Sequence, residues 1–251
     1  PSALAERPPT IALFAVQGPL ARRVKDVRLG LAAMSGRDPR DPWWVPAQHH
    51  GKPVQRPIKV GLITEAHGLY VHPDVAAAVR KAGAALAETG YIVEEVTPPS
   101  IQAATDLWMK LVAADIRETL WDTIAANADP LAVKAVGFWR DAMPPISIGE
   151  YIKGLSEITR HRREWSLFLE QYPVLVGPNC GDLPFEIGFD TTDMARTQHV
   201  LKSQALMVTV NLLGFPAAAV PVGLTQADGA PKGLPLGVQV IAGRYREDLA
   251  L

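Results

Sequence analysis

Apolar residues recur along this chain with two periods, and the changes of period mark out its elements. Leu20, Val24, Val27, Leu31 and Met34 stand three and four apart, which predicts a helix opened by Gly18-Pro19 and closed at Gly36. Before it, residues 1–16 read as irregular, with Pro8-Pro9 leading into an apolar run. After it, Asp38-Pro-Arg-Asp-Pro42 and the stretch through Pro57 read as a long proline-punctuated loop holding Trp43-Trp44 and His49-His50. From Ile58 the pattern changes. Lys59-Val-Gly-Leu-Ile63 is a buried-strand run, Pro73-Asp-Val opens a helix that runs through Glu88 to a stop at Gly90, and residues 91–96 form the next strand. Strand, helix, strand at this spacing is a βαβ unit with parallel strands. Ile92 and Val93 alternate poorly with Glu94 and Glu95, so that second strand belongs at a sheet edge.

Residues 100–171 read as largely helical. Leu107, Leu111, Ile116 and Leu120 mark a helix over 101–128; Ile148, Tyr151, Ile152, Leu155, Ile158, Trp165 and Leu169 mark another, with Arg160-His-Arg-Arg163 as a basic, solvated patch. Residues 173–176 return to strand. From Ser203 to Ala227 no residue is charged, a length that would permit a membrane span. Asn211, Gly214, Pro216 and Pro221 break it, and the better reading is a buried helix to about Leu213, a turn at Gly214-Phe-Pro216 and a strand over 217–222. Residues 238–241 are a last strand, and Arg246-Glu-Asp-Leu-Ala-Leu251 reads as the start of a helix. The expected fold class is α/β, a mixed sheet covered by helices, with residues 100–171 as a long helical excursion packed on one side.

Composition narrows this picture. At 251 residues, 48% hydrophobic and 20% charged, the chain is an ordinary globular sequence able to bury a core without disulfide staples. Lys plus Arg is 25 against 26 for Asp plus Glu, a balance with no drive toward nucleic acid or an anionic membrane surface. The single Cys180 has no disulfide partner and no Cys/His cluster has zinc spacing, so a reducing cytoplasm is expected, with no metal and no cofactor. The sequence opens at Pro1 without a signal-peptide pattern and closes inside a nascent helix, and it reads as a piece cut at both ends.

The familiar catalytic spacings are mostly missing. There is no phosphate-cradling Gly-x-x-x-x-Gly-Lys-Ser/Thr loop and no dinucleotide Gly-x-Gly-x-x-Gly. The nearest approach to a nucleophile elbow, Pro145-Ile-Ser147-Ile-Gly149, follows no strand, and Ser147 with Glu150 reads instead as a capping box. The six histidines form no constellation: His49 and His50 share a loop, His67 and His72 flank a turn, His161 is in the basic patch and His199 is on a helix. Cys180, in Gly177-Pro-Asn-Cys-Gly181 just past a strand, occupies a position where α/β folds carry function, but a lone cysteine without a basic neighbour is inert. No complete active site is legible in these residues.

Several segments taken together resemble the C-terminal half of the amidase signature family. They are Gly18-Pro-Leu-Ala-Arg22 with Asp26; Gly36-Arg-Asp-Pro-Arg-Asp-Pro42; Lys59-Val-Gly-Leu with Pro73-Asp-Val-Ala-Ala-Ala-Val79; Val174-Leu-Val-Gly-Pro178; Asn211-Leu-Leu-Gly-Phe-Pro-Ala-Ala-Ala-Val-Pro-Val-Gly223; and Gly233-Leu-Pro-Leu-Gly-Val-Gln-Val-Ile241 with Arg246-Glu-Asp248. The resemblance implies a hydrolase of small-molecule amides, in which a Ser nucleophile is activated by a second Ser relaying its proton to a Lys, and a Gly/Ser-rich loop holds the oxyanion. Those positions belong to the family's N-terminal half. This chain has no Ser-Ser pair and no Gly-Gly-Ser run, so no catalytic residue is assigned to it and residues 1–251 alone are expected to be inactive.

The resemblance also implies that the loop after residues 174–176 and the helix before Asn211 face the acyl side of the substrate, which makes Asn179, Cys180 and Gln204 the candidate substrate-binding residues. In the family's tRNA-dependent amidotransferases an acidic residue that binds the glutamine amino group falls where Gln204 stands. A neutral amide cannot neutralise an ammonium group, which argues against free glutamine; the alternative is that Gln204 only faces solvent. The whole chain is then the C-terminal part of a single α/β domain missing its N-terminal half, and the apolar surface this leaves bare favours a homo-oligomer. Two alternatives stand beside it: a non-catalytic binding or assembly partner in an amidotransferase-like complex, and an unrelated α/β domain that binds small molecules.

Overall fold

A computed structural model describes residues 6–65, 70–226 and 232–251. Its centre is a five-stranded mixed sheet in the order β2-β1-β3-β5-β4. Strands β1 (Lys59–Leu62), β2 (Ile92–Glu95) and β3 (Val174–Pro178) are mutually parallel, with Val60 opposite both Val93 and Val174. Strands β4 (Ala217–Leu224) and β5 (Pro235–Ala242) form an antiparallel pair, joined to the rest through β3 and β5. The crossover helix α3 (Pro73–Glu88) begins on Pro73, as the sequence predicts, and the His72 side chain caps it by accepting the Asp74 N–H. β2 lies at the sheet edge, where Glu94 and Glu95 can stay wet.

One face of β1, β3 and β5 buries Ile58, Val60, Leu62, Val174, Val176 and Val238 against Val79 of α3. The other buries Ile63, Leu175 and Ile241 against Trp165 and Leu169 of α7 (Ile148–Gln171) and Leu206, Val210 and Leu213 of α9 (Ala205–Leu213). Alternation along the parallel strands is thus apolar on both faces, the signature of a sheet sandwiched between helices. Gly83 and Gly177 permit the close approach: a Cβ on either would run into Leu62 or Leu206. α9 is the buried part of the charge-free stretch, stopped by Gly214 at φ +66°. Among the described residues no helix is long and apolar enough to cross a membrane.

Four local expectations need correction. Residues 1–16 are not wholly irregular: α1 (Pro9–Phe14) forms because Asp115 takes both the backbone N–H and the hydroxyl of Thr10, a partner 105 residues away that no local pattern reveals. The next helix, α2, starts at Val24 rather than at Gly18-Pro19 and ends at Met34; Pro19 folds back so that a Cβ on Gly30 would meet it at 2.8 Å. The helix expected over 101–128 is interrupted. α4 (Ile101–Asp115) passes through a π-turn over Ile116–Leu120, where the Thr119 hydroxyl bonds the Asp115 carbonyl (2.6 Å), before α5 (Trp121–Asn127). Pro130 then opens α6 (Pro130–Ala142) under an Asp129 cap.

The fourth concerns Arg160-His-Arg-Arg163, which is not one solvated patch. Arg160 pairs with Glu157 and Glu164, whereas Arg162 turns inward to donate to the Leu213 and Leu212 carbonyls at the end of α9. His161 is buried, with Nε2 3.1 Å from Arg160 Nη2 and Nδ1 3.9 Å from Glu164 Oε2. Burial, with Arg160 beside it, holds the His161 pKa below the ordinary histidine value. The unfolded chain therefore binds a proton that the native state resists. Stability from this site is complete above about pH 6.5 and is lost as the pH falls from there through the lower native value. The urea midpoint is expected to be lower at pH 5 than at pH 7.5, and His161→Gln should shrink that difference; equal differences in both proteins would exclude His161 as the source.

Candidate active-site wall

In sheets with parallel strands, ligands gather at the carboxyl ends, where successive loops diverge. β1 and β3 are neighbours here, and the chain leaving each runs to the same place. Gly181 joins them: its N–H donates to the Ser203 carbonyl (2.6 Å) and its carbonyl accepts from the His72 N–H (2.7 Å). The loop after β3 is thereby fixed to the segment entering α3 on one side and to the junction of α8 (Met194–Ser203) and α9 on the other. The buried Gln239 on β5 donates through Nε2 to the Pro178 carbonyl (2.9 Å), holding the end of β3 in place.

The three residues singled out by the sequence come together around this junction. Asn179 and Cys180 are half-buried on the loop, and Gln204, also half-buried, is the single residue between α8 and α9. The Cys180 Sγ lies 3.2 Å from Ser203 Oγ. Ser203 is buried and its hydroxyl donates to the Val200 carbonyl (2.7 Å), so it can only accept from the Cys180 thiol. The Cys180 thiol proton is thus directed at a neutral hydroxyl. Gln204 and Asn179 take no side-chain hydrogen bond among the described residues.

Other candidates resolve differently. Ser147 is the N-cap of α7: its Oγ accepts from the Glu150 N–H (3.2 Å), and Glu150 Oε2 accepts in return from the Ser147 N–H (2.8 Å). His49 has Glu247 3.8 Å away, far in the chain from the β3 loop, and His67 lies outside the described residues. The sequence missed a contact of His199, whose Nε2 is 2.6 Å from Asp182 Oδ2. The two are 17 residues apart, on a helix and a loop, and no spacing rule connects them. Among the described residues no group of three or more His, Cys, Asp or Glu side chains could hold a metal ion.

The family model described as Amidase matches residues 6–251. An indoleacetamide hydrolase of Bradyrhizobium diazoefficiens is 39% identical, the match covering 100% of this chain and 47% of that protein. The A-type component of a glutamyl-tRNA(Gln) amidotransferase from a Picosynechococcus species is 28% identical over 93% of this chain and 53% of its own length. The chain thus spans about half the length of the curated relatives it matches. Among solved structures, a 6-aminohexanoate cyclic dimer hydrolase complexed with substrate superposes with a TM-score of 0.70 at 23% identity, covering 91% of this chain and 51% of that one. A bacterial aryl acylamidase superposes at 0.58 with 21% identity, covering 77% and 41%. These two likenesses carry the α/β fold with its mixed sheet.

A Cβ on Gly181 would collide with the Tyr70 carbonyl oxygen and lie 3.2 Å from that of Ser203, both backbone atoms that cannot swing away. Gly181→Ala is expected to destabilise the chain by about 1–3 kcal/mol, the usual cost of overpacking, read as a lowered urea midpoint. A midpoint equal to the parent's would mean that the three segments are not held together at this residue.

Proposed function

The chain belongs to the amidase signature family, and we propose that it forms the acyl-side wall of a hydrolase that converts a carboxamide and water to a carboxylate and an amine or ammonia. The observation that carries this reading is the meeting of Asn179, Cys180 and Gln204 at the carboxyl ends of β1 and β3, in a chain matched to the family over residues 6–251. The nucleophilic Ser and the Ser-Lys relay come from a segment N-terminal to this one. There the Ser oxygen adds to the amide carbonyl and passes its proton toward the Lys. The C–N bond then breaks with protonation of the leaving nitrogen, and water hydrolyses the acyl ester. Two exposed features agree with an absent partner segment: α2 buries no residue, leaving Val24, Leu29 and Met34 exposed, and β4 exposes Val220 and Leu224. Such bare apolar surface also makes residues 1–251 self-associate in isolation. We place the protein in the cytoplasm.

The name of the 39% identical relative makes indole-3-acetamide the first substrate to try. The protein expressed from its complete reading frame is expected to release ammonia from it, and residues 1–251 alone are not. Release by the 251-residue chain would overturn the assignment of catalysis to an upstream segment. Release by neither would turn the reading to a non-catalytic binding or assembly partner. Gln204→Ala in the complete protein should change the ranking of amides by kcat/KM, and an unchanged ranking would mean that Gln204 only faces solvent.

A further inference from the structure

Beside the candidate wall stands a group of rings that the reading above leaves unused. Asp182 directly follows Gly181. Its Oδ1 accepts from the Leu183 N–H (2.7 Å) and its Oδ2 faces His199 Nε2 (2.6 Å), with the Asp182 side chain 18% exposed and that of His199 46%. An ionised carboxylate can only accept, so the His199 nitrogen facing it donates and the imidazole plane is fixed. Three aromatic rings gather round that imidazole. Tyr70, from the segment after β1, has its centroid 6.3 Å away; Phe185 meets the imidazole edge-on at 5.8 Å; Phe189 lies at 6.1 Å and stacks on Phe185 at 5.1 Å. The Arg196 guanidinium sits over Phe189, 5.1 Å from its centroid.

These are mutually favourable ring geometries, but the group is not closed over. Tyr70 is 54% exposed, and His199 presents nearly half its side chain to solvent. A core buries aromatic rings; a shelf of them, oriented by a hydrogen-bonded carboxylate and left open, has the form of a site for a planar apolar group. Its position is beside the candidate wall: Asp182 lies on the same loop as Cys180, two residues on, directly after Gly181.

We propose that Tyr70, Phe185, Phe189 and His199, with Asp182 holding the imidazole, form the specificity-determining shelf that receives a planar aromatic acyl group of the amide substrate. The inference rests on the amidase reading. Asp182 is a positioning residue, acting through His199. The shelf makes the site prefer arylacetamides to short aliphatic amides, because stacking on these rings is available only to the former.

The test compares kcat/KM for indole-3-acetamide and for propionamide in the complete protein and in its Phe185→Leu and Asp182→Asn variants, both close to the parent in shape. Phe185→Leu is expected to lower the aryl-to-aliphatic ratio at least tenfold, chiefly through KM for the aryl amide, and Asp182→Asn to lower it less. Equal losses on both substrates, or no change in the ratio, would overturn the shelf while leaving the amidase reading intact. If the parent hydrolyses neither amide, the amidase reading fails, and equilibrium dialysis with indole-3-acetate decides the shelf alone. Saturable binding weakened at least tenfold by Phe185→Leu supports it, and absent binding, or binding unaffected by that substitution, overturns it.

Discussion

At Gly181 two main-chain hydrogen bonds leave one residue in opposite directions, to Ser203 at 2.6 Å and from His72 at 2.7 Å. The candidate wall depends on this contact, because it binds the exit of β3 both to the chain leaving β1 and to the α8–α9 junction. Only glycine fits: the Tyr70 and Ser203 carbonyls fill the space a Cβ would need. With the loop held there, Cys180 is turned to Ser203, Asp182 to His199, and Gln204 is presented at the break between two helices. The same residue that closes the backbone network therefore sets the direction of its neighbours on both sides.

The two faces of the sheet carry different burdens. The face toward α3 starts from a local unit, since β1, α3 and β2 follow one another, and is completed by Val174 and Val176 of β3 and Val238 of β5. The face toward α7 and α9 is assembled from segments 100 or more residues apart. Thr105 on α4 bonds the Ala205 carbonyl at 3.1 Å, Trp108 Nε1 donates to Asn211 Oδ1 at 2.8 Å, and Asn211 Nδ2 donates to the Phe14 carbonyl at 2.6 Å. Asp115 completes this side: buried, it accepts from Thr10 and from the Tyr151 hydroxyl at 2.6 Å, and that phenol, desolvated and beside the carboxylate, is held above the usual tyrosine range. Helices α1, α4, α7 and α9 are thus tied by polar contacts inside an apolar layer, where each bond left unmade would cost the full desolvation of its group.

Most elements of this protein were legible in the sequence because they depend on residues within a turn or two. The βαβ unit, the edge placement of β2, the capping box of Ser147 and Glu150, and the stop of α9 at Gly214 all follow from period, cap or breaker, and the structure carries each of them. The amidase likeness was readable as well, because it lies in ordered short strings spread over most of the chain. Where the sequence misled, a distant partner decided: Asp115 made a helix of residues 9–14, and Pro19 folding onto Gly30 delayed the start of α2.

By itself, then, the sequence determined most of the helices and strands, the mixed α/β class and the family, all of which are written in neighbouring residues. Tertiary structure alone decided that Cys180 meets Ser203, that His161 and Arg162 leave the apparent basic patch for the interior, and that Asp182, His199 and three aromatic rings share one corner. Those contacts join residues on different elements, and their distances are set by how a twisted sheet and its helices pack. Periodicity reports which face of an element is apolar; it carries no record of which element that face will meet.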